Sequence, residues 1–365
     1  MARSGRLPLA LILALPLILA PGAAGQAAET ERLQLSEFRI DHEAMCDLRE
    51  EWADNLLATH ESGTWVPLRF ELTDSQLARM GLPSADVLRS RRYSAPTIVS
   101  PDGQFEEIPL EDLEAAMDPA VVSYAGTGCL GIRPGALYLI ITGNSIALCS
   151  MAHLYGTSIS TAGHCGKGGN KATVIAAVGN SSIAGPVLLD FGTFKSSTDG
   201  GLGNDKALIA ITSTYMNLVT PTMCFWGGPR GVYTKTGGTA TINWNNGQVS
   251  VNPDPFLPQA IVHYGHGLGV GAGGTPRAGA AIHWDSSHFM FFGVINFGDS
   301  GSGANTVTGD TAGANMEAAG IITHIYVDPL MRQGLGIMGG TRATRVGTPT
   351  NGQIVPYPVP VQGLP

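Results

Sequence analysis

The sequence predicts a mostly β body that follows a shorter, partly helical segment, and three observations support this fold class. The chain has 365 residues, of which 49 are glycines and only 14% are charged. From residue 121 onward, short β-branched runs alternate with Gly, Asn, Pro and Thr. This spacing is typical of an all-β sandwich or a pair of barrels. The acidic residues are concentrated before that point, since residues 27–120 hold 20 of the 29.

Composition and charge exclude several classes of protein. Hydrophobic residues make up 44% of the chain, which is too many for a disordered polyelectrolyte. Residues 27–120 have a net charge of −12, whereas residues 121–365 have one of +2. No basic stripe is present, so nucleic acid is not an expected partner.

Residues 1–27 have the order of a secretory signal peptide. Arg3 and Arg6 precede an apolar run of 14 residues, and small residues follow it. The run is too short to span a bilayer comfortably. We expect cleavage between Ala24 and Ala28 and a secreted, extracellular protein with no membrane contact after cleavage. An uncleaved membrane anchor is the alternative interpretation.

Residues 28–120 are predicted to form an acidic propeptide or an accessory segment. Helical patterns cover 41–57, 73–88 and 110–117, and Thr73 with Gln76 suggests a capped helix start. The different charge of this segment favours a propeptide that assists folding or blocks the cleft of the body, and a stable accessory domain is the alternative.

Residues 121–347 form the predicted β body, and the Pro-rich tail 348–365 is expected to be an extended end. The predicted strands cover 136–142, 173–178, 206–211, 231–234, 260–264, 289–295 and 319–327.

Three short strings in the body carry reactive side chains in the order His, Asp, Ser. They are TAGHC with His164, GNDKALIAI with Asp205, and GDSGSG with Ser300. A serine becomes a good nucleophile when an imidazole accepts its proton, and a buried carboxylate orients that imidazole. Backbone N–H groups of a Gly-x-Ser turn stabilise the negative charge that develops on the carbonyl oxygen.

These strings resemble the motifs of the chymotrypsin-like (trypsin-fold) serine proteases, over roughly residues 121–347. The resemblance implies two six-stranded antiparallel β-barrels with the reactive residues between them. It implies a secreted serine endopeptidase that acts on protein or peptide substrates and needs no cofactor. The alternative is a non-catalytic binding protein with the same fold.

By the same resemblance, Ser300 is the nucleophile, His164 the general base and acid, and Asp205 the residue that orients the imidazole. The N–H groups of Gly298 and Ser300 form the oxyanion hole. The rivals weighed for these roles are Asp190 and Asp199 for the carboxylate and Ser302 for the nucleophile. Asp299 is expected to shape the oxyanion hole through a buried ion pair or hydrogen bond.

The resemblance also implies a disulfide between Cys149 and Cys165, which pins the histidine turn. Cys129 and Cys224 are then left to pair with each other. Cys46 is either free or bonded to one of those two.

The resemblance also implies a specificity pocket that contains Val294, Thr323 and Ile325. Val294 stands where an acid in that family selects Arg or Lys, and Ile325 would narrow the slot, so small or medium apolar side chains are expected.

The family is activated by the amine of an Ile-Val-Gly-Gly-like new N-terminus. No such string occurs near residue 120 of this sequence. No metal is predicted, because His263 and His266 lack an acid or Cys at ligand spacing.

Overall fold

The computed structural model describes residues 34–36, 38, 40–116, 131–179, 186–221, 223–227, 229, 231–233, 240–243, 248–251, 260–266, 274–294, 296–307 and 316–343. The predicted signal peptide, the boundary at residue 120 and the Pro-rich tail lie outside these residues and stay predictions. Among the described helices, none combines the length and the apolar character that a membrane crossing requires.

Four α-helices lie in the acidic segment: α1 His42–Thr59, α2 Asp74–Arg79, α3 Ala85–Arg89 and α4 Leu110–Ala116. Asp41 caps α1 by accepting the N–H groups of Glu43 and Ala44. The predicted capping box of α2 is confirmed, because Thr73 and Gln76 bond each other's backbone N–H groups. The helical pattern over 73–88 is broken in two at Gly81, whose φ of 71° ends α2.

The described strands are β1 Gln34–Ser36, β2 Trp65–Pro67, β3 Thr97–Val99, β4 Phe105–Glu107, β5 Leu137–Ile141, β6 Ile146–Ser150, β7 Leu154–Tyr155, β8 Ser158–Thr161, β9 Lys171–Gly179, β10 Pro186–Asp199, β11 Asp205–Ile211, β12 Gly231–Val232, β13 Ala240–Asn243, β14 Gln248–Val251, β15 Ala260–Gly265, β16 Thr275–Trp284, β17 His288–Val294, β18 Gly303–Val307, β19 Met316–Tyr326 and β20 Leu335–Arg342. Short 3₁₀ turns cover Gly163–Cys165, Ser213–Leu218 and Pro329–Gln333.

The second half of the body is a closed barrel. Its six strands pair antiparallel in the order β19-β18-β15-β16-β17-β20, and β20 pairs again with β19. Closure leaves no free edge among these strands. The predicted fold class, a mostly β protein with a six-stranded antiparallel barrel, is confirmed.

The first half of the body is a second antiparallel sheet in the order β6-β5-β9-β10-β11-β8-β7. It curls back on itself, since the N–H of Ala152, just after β6, donates to the Ser160 carbonyl on β8 (2.8 Å). The Ser160 N–H returns a bond to the His153 carbonyl (2.8 Å).

The acidic segment is built into both sheets. Strand β1 pairs with β9, β3 with β10, and β2 with β19 of the closed barrel. Its apolar side chains share a core with the body, in which Leu48 and Trp52 of α1 are buried together with Phe297 and Ile322. Burial of this shared apolar surface is what holds the segment in place.

A disulfide joins β6 to the 3₁₀ turn after β8, as the resemblance implied. Its members are Cys149 and Cys165, 16 residues apart in sequence. Cys224 is also disulfide-bonded, and the predicted pairing with Cys129 involves a residue outside the described ones. Cys46 lies on α1 and is partly buried.

Replacing both Cys149 and Cys165 by Ala is expected to lower the free energy of unfolding by about 3 kcal/mol, since an open 16-residue loop has more unfolded conformations. Denaturant unfolding under oxidising conditions measures the change. A double variant as stable as the wild type would contradict a structural role for this bond.

Candidate active site

The structure brings His164, Asp205 and Ser300 together at the junction of the two sheets. His164 lies on the 3₁₀ turn after β8, Asp205 begins β11, and Ser300 lies in the loop between β17 and β18. All three are buried, and Asp205 and Ser300 have no exposed surface. Strands β8 and β11 are neighbours in the first sheet, which places the first two residues side by side.

These three side chains form one hydrogen-bonded row. His164 Nδ1 bonds Asp205 Oδ2 (2.6 Å), and Ser300 Oγ bonds His164 Nε2. The carboxylate fixes the proton on Nδ1, which leaves Nε2 as an acceptor for the serine hydroxyl. The row therefore has the polarity that proton removal from Ser300 requires.

The Asp205 carboxylate also holds the backbone of the histidine turn. Its Oδ1 accepts the N–H groups of Gly163 (2.5 Å) and His164 (3.0 Å). Glycine is required at position 163, because a Cβ there would lie 1.8 Å from the Thr198 carbonyl oxygen. The position of His164 is thus set by both its side chain and its main chain.

The rival residues occupy other places. Asp190 accepts bonds from the Tyr93 N–H (3.1 Å) and the Thr173 hydroxyl (2.5 Å). Asp199 is exposed at the end of β10. The Ser302 hydroxyl is buried and has no hydrogen-bond partner among the described residues. None of the three is bonded to His164.

The loop around Ser300 presents two N–H donors. Ser150 holds its carbonyls, since the Ser150 N–H donates to the Ser300 oxygen and its hydroxyl to the Gly298 oxygen, both at 2.7 Å. Within the described chain, the N–H groups of Gly298 and Ser300 donate to no acceptor. Gly298 has a φ of 93°, and a Cβ there would lie 2.7 Å from the His266 carbonyl oxygen. This geometry fits the predicted oxyanion hole.

A buried ion pair anchors the same loop. Asp299 Oδ2 bonds the Arg277 guanidinium and accepts the Asn296 N–H (2.8 Å). Arg277 lies on β16, and its Nη2 also donates to the Gly265 carbonyl (2.7 Å). The sequence predicted an ion pair or hydrogen bond for Asp299 and did not identify its partner. The guanidinium supplies, from inside the body, a positive charge for this carboxylate.

His324 is a further residue of the site that the sequence analysis did not assign. It lies on β19 directly after Thr323, whose hydroxyl is 2.7 Å from His324 Nδ1. The same Nδ1 lies 3.8 Å from Asp205 Oδ2, and the ring is edge-on to His164. Burial lowers the pKa of His324 to about 4, against the opposing effect of Asp205. The sequence did offer a sign of this role, because His324 directly follows the predicted pocket residue Thr323.

The predicted pocket residues lie on two strands of the closed barrel. Thr323 and Ile325 lie on β19, where Ile325 pairs with Val66 of β2. Val294 ends β17, and its carbonyl oxygen accepts a bond from His263 Nε2 (3.2 Å). Because the side chain of Val294 is apolar, it brings no carboxylate to the end of β17.

A cluster of potential metal ligands lies elsewhere, at the turn between β16 and β17. His283, Asp285 and His288 place their ligand atoms within 4.8 Å of one another. Asp285 Oδ1 already accepts the N–H groups of Ser287 (2.5 Å) and His288 (2.8 Å). These turn hydrogen bonds account for the arrangement. The H-x-D-x-x-H spacing of these residues is visible in the sequence, whereas the prediction that no metal binds was based on His263 and His266.

Comparisons with known proteins find structural similarity only. No family model and no curated protein matches the sequence. Solved structures that are similar include a chymotrypsin of Cellulomonas bogoriensis, 17% identical over 60% of this chain and 92% of that one, with a TM-score of 0.33. A protease from M. tuberculosis in its active form is 13% identical over 58% and 78%, with a TM-score of 0.34. At this level of similarity, the fold assignment rests on the strand pairings of the chain itself.

Replacing Arg277 by Met is expected to destabilise the chain by about 3–5 kcal/mol, because it leaves the Asp299 carboxylate buried without its partner. Chemical denaturation measures the loss. The matched control is Arg332→Met, which removes an exposed pair with Asp54 and is expected to cost less than about 1 kcal/mol. Equal losses for the two variants would contradict the anchoring role.

Stability is expected to fall in acid because of buried neutral histidines such as His153. Burial lowers the pKa of His153 from 6.5 to about 4, with the Asn305 hydrogen bond opposing the shift. Between those values the unfolded chain binds a proton that the folded chain does not. The stability that the chain has with a neutral His153 is therefore fully present above pH 6.5 and is lost as the pH falls toward 4.

The variant His153→Gln is expected to flatten the pH dependence of the unfolding free energy by about 1.4 kcal/mol per pH unit in that window. Denaturant unfolding at a series of pH values measures this slope. The control is His60→Gln, at an exposed position just after α1. An unchanged slope for His153→Gln would show that this residue is not the acid-sensitive group.

Proposed function

We propose that this chain is a secreted serine endopeptidase that cleaves peptide bonds through an acyl-enzyme on Ser300. The observation that carries the proposal is the buried hydrogen-bonded row of Asp205, His164 and Ser300. Two backbone N–H donors without acceptors lie at the same loop. The expected substrates are proteins or peptides.

Acylation follows from the polarity of the row. Ser300 Oγ attacks the carbonyl carbon of the substrate while its proton moves to His164 Nε2. The imidazolium stays hydrogen-bonded to the Asp205 carboxylate through Nδ1. The N–H groups of Gly298 and Ser300 bind the oxyanion, a contribution of about 3 kcal/mol per donor. Nε2 then gives the proton to the leaving amine, and an ester on Ser300 remains.

Deacylation repeats these steps with water. His164 Nε2 takes a proton from the attacking water, the oxyanion forms again, and the proton returns to Ser300 Oγ as the ester breaks. The imidazole has to be neutral at the start of each half, because only an unprotonated Nε2 can accept the proton.

Specificity for Arg or Lys is not expected. Val294 offers no carboxylate to pair with a buried cation, and Ile325 narrows the slot. Small or medium apolar side chains are the expected substrates at this pocket.

A non-catalytic binding protein is the second candidate, and two observations favour it. Ser300 has no exposed surface, and a strand of the acidic segment lies along β19 next to the site. Such a chain would keep the geometry without turning over substrate.

Ser300→Ala is expected to abolish covalent labelling by a small fluorophosphonate, because that reagent requires an activated serine hydroxyl. Intact-mass measurement after prolonged incubation detects one adduct on the wild type and none on the variant. The matched control is Ser302→Ala, which removes the neighbouring buried hydroxyl and is expected to keep the adduct. A wild type that never forms an adduct would favour the binding protein.

A further inference from the structure

Residues 65–72, which we call the junction strand, begin with β2 (Trp65–Pro67), include the isolated bridge of Glu71 to Ala147, and show an alternating pattern of burial. Every second side chain is buried and those between them face the solvent. The buried ones are Val66, Leu68, Phe70 and Leu72; the exposed ones are Pro67, Arg69 and Glu71. Leu68 has no exposed surface. One face of this strand therefore lies wholly against the body.

On one side, this strand is bonded to the closed barrel. Val66 pairs antiparallel with Ile325, and the Leu68 N–H donates to the Thr323 carbonyl oxygen (2.9 Å). Ile325 and Thr323 are two of the residues that the sequence analysis predicted for the specificity pocket.

On the other side, the strand is bonded to the first sheet. The Leu148 N–H donates to the Phe70 carbonyl oxygen (3.1 Å), and the Leu72 N–H donates to the Ile146 carbonyl oxygen (2.8 Å). The strand thus passes from the barrel to β6 between Leu68 and Phe70.

Both partner strands are themselves bonded to the Ser300 loop. Residue 323 follows Ile322, whose carbonyl accepts the Gly301 N–H (2.8 Å). On β6, the Ser150 N–H donates to the Ser300 carbonyl (2.7 Å), two residues after Leu148. The peptide bond between residues 68 and 69 therefore lies between two strands that are both hydrogen-bonded to the Ser300 loop.

Aromatic contacts hold the strand in this place. The ring of Phe70 lies 4.0 Å from that of Phe297, the residue before Gly298, and Trp52 of α1 lies 5.2 Å from the same ring. Trp65 packs edge-on against Tyr326 at 5.4 Å. Aromatic pairs of this kind stabilise a fold by more than the apolar area that they bury.

We propose that residues 65–72 are an internal pseudosubstrate that occupies and closes the substrate groove, with Leu68 in the specificity pocket. This inference rests on the proposed function, and it names the substrate class: peptides with Leu or a similar apolar residue before the cleaved bond. Because the ligand belongs to the same chain, it competes at a high effective concentration.

The position of the Leu68 carbonyl explains why the enzyme would hold this strand without cleaving it. The N–H groups of Gly298 and Ser300 make no hydrogen bond to the Leu68 carbonyl within the described chain. A carbonyl outside the oxyanion hole lacks the charge stabilisation that attack by Ser300 requires. The 68–69 bond is therefore expected to stay intact in the full chain.

The occupancy of the groove is tested first in the Ser300→Ala chain, where no turnover can occur. Hydrogen exchange is expected to show protected amides at Leu68 and Leu72, the two donors from the strand to the body. Leu68→Asp, which puts an unpaired carboxylate into an apolar pocket, is expected to remove that protection. Amides that exchange at the unprotected rate in Ser300→Ala overturn the proposal, whatever the activity of the enzyme.

The second test measures the rate at which a fluorophosphonate labels Ser300 in chains that keep this residue. Leu68→Asp is expected to raise the rate by about tenfold or more, because labelling follows the fraction of open grooves. Leu68→Ala, which keeps the backbone pairing, is expected to lie between it and the wild type. Arg69→Asp puts the same carboxylate on the exposed side and is expected to match the wild type. Measurable labelling at the same rate in all four chains overturns the proposal.

The two tests separate this inference from the proposed function. Protected amides with no labelling of any chain, Leu68→Asp included, support the occupied groove and overturn the endopeptidase. Labelling that is equally fast in every chain supports the activated serine and overturns the pseudosubstrate. A new terminus at Arg69 in the wild type would overturn the prediction that the strand resists cleavage.

Discussion

The arrangement of the site depends on one buried carboxylate, that of Asp205. Its two oxygens hold the backbone N–H groups of the histidine turn and the His164 ring, and it has no exposed surface. Its main chain is tied to the closed barrel, because Thr341 Oγ1 accepts the Asp205 N–H (3.0 Å) and donates to its carbonyl (2.8 Å). A buried charge is tolerated only when such bonds replace its hydration. The two sheets can therefore dock in this position only with the histidine turn in place.

A second buried carboxylate holds the opposite side of the site in a different way. Asp299 is paired with Arg277, a residue of β16, so the Ser300 loop is held by a charge that belongs to the folded body. An enzyme built on this site would not need a newly cut chain terminus to shape its oxyanion hole. Activity could then be controlled by blocking the substrate groove, which is a simpler mechanism than cutting a new terminus. The proposed pseudosubstrate at residues 65–72 would act in this way.

Local sequence patterns predicted the elements that have strong local causes. The capping box of α2 follows from a Thr and a Gln three residues apart, and β-branched runs marked β9, β11, β15 and β19. The patterns missed strands such as β16 and β18, whose sequences are rich in Gly, Ala and Thr. Such residues form strands because neighbouring strands offer hydrogen bonds, and that context is absent from a local window.

The sequence by itself determined the order of the His, Asp and Ser strings, the Cys149–Cys165 pairing through its resemblance, and the lack of a pocket acid at Val294. Only the tertiary structure decided that Asp205 and neither rival bonds His164, that Arg277 pairs with Asp299, and that Leu68 is hydrogen-bonded to Thr323 of the barrel. Each of these facts is a contact between residues far apart in the chain. Geometry at such a distance is set by the docking of two sheets, and no local pattern of side chains records it.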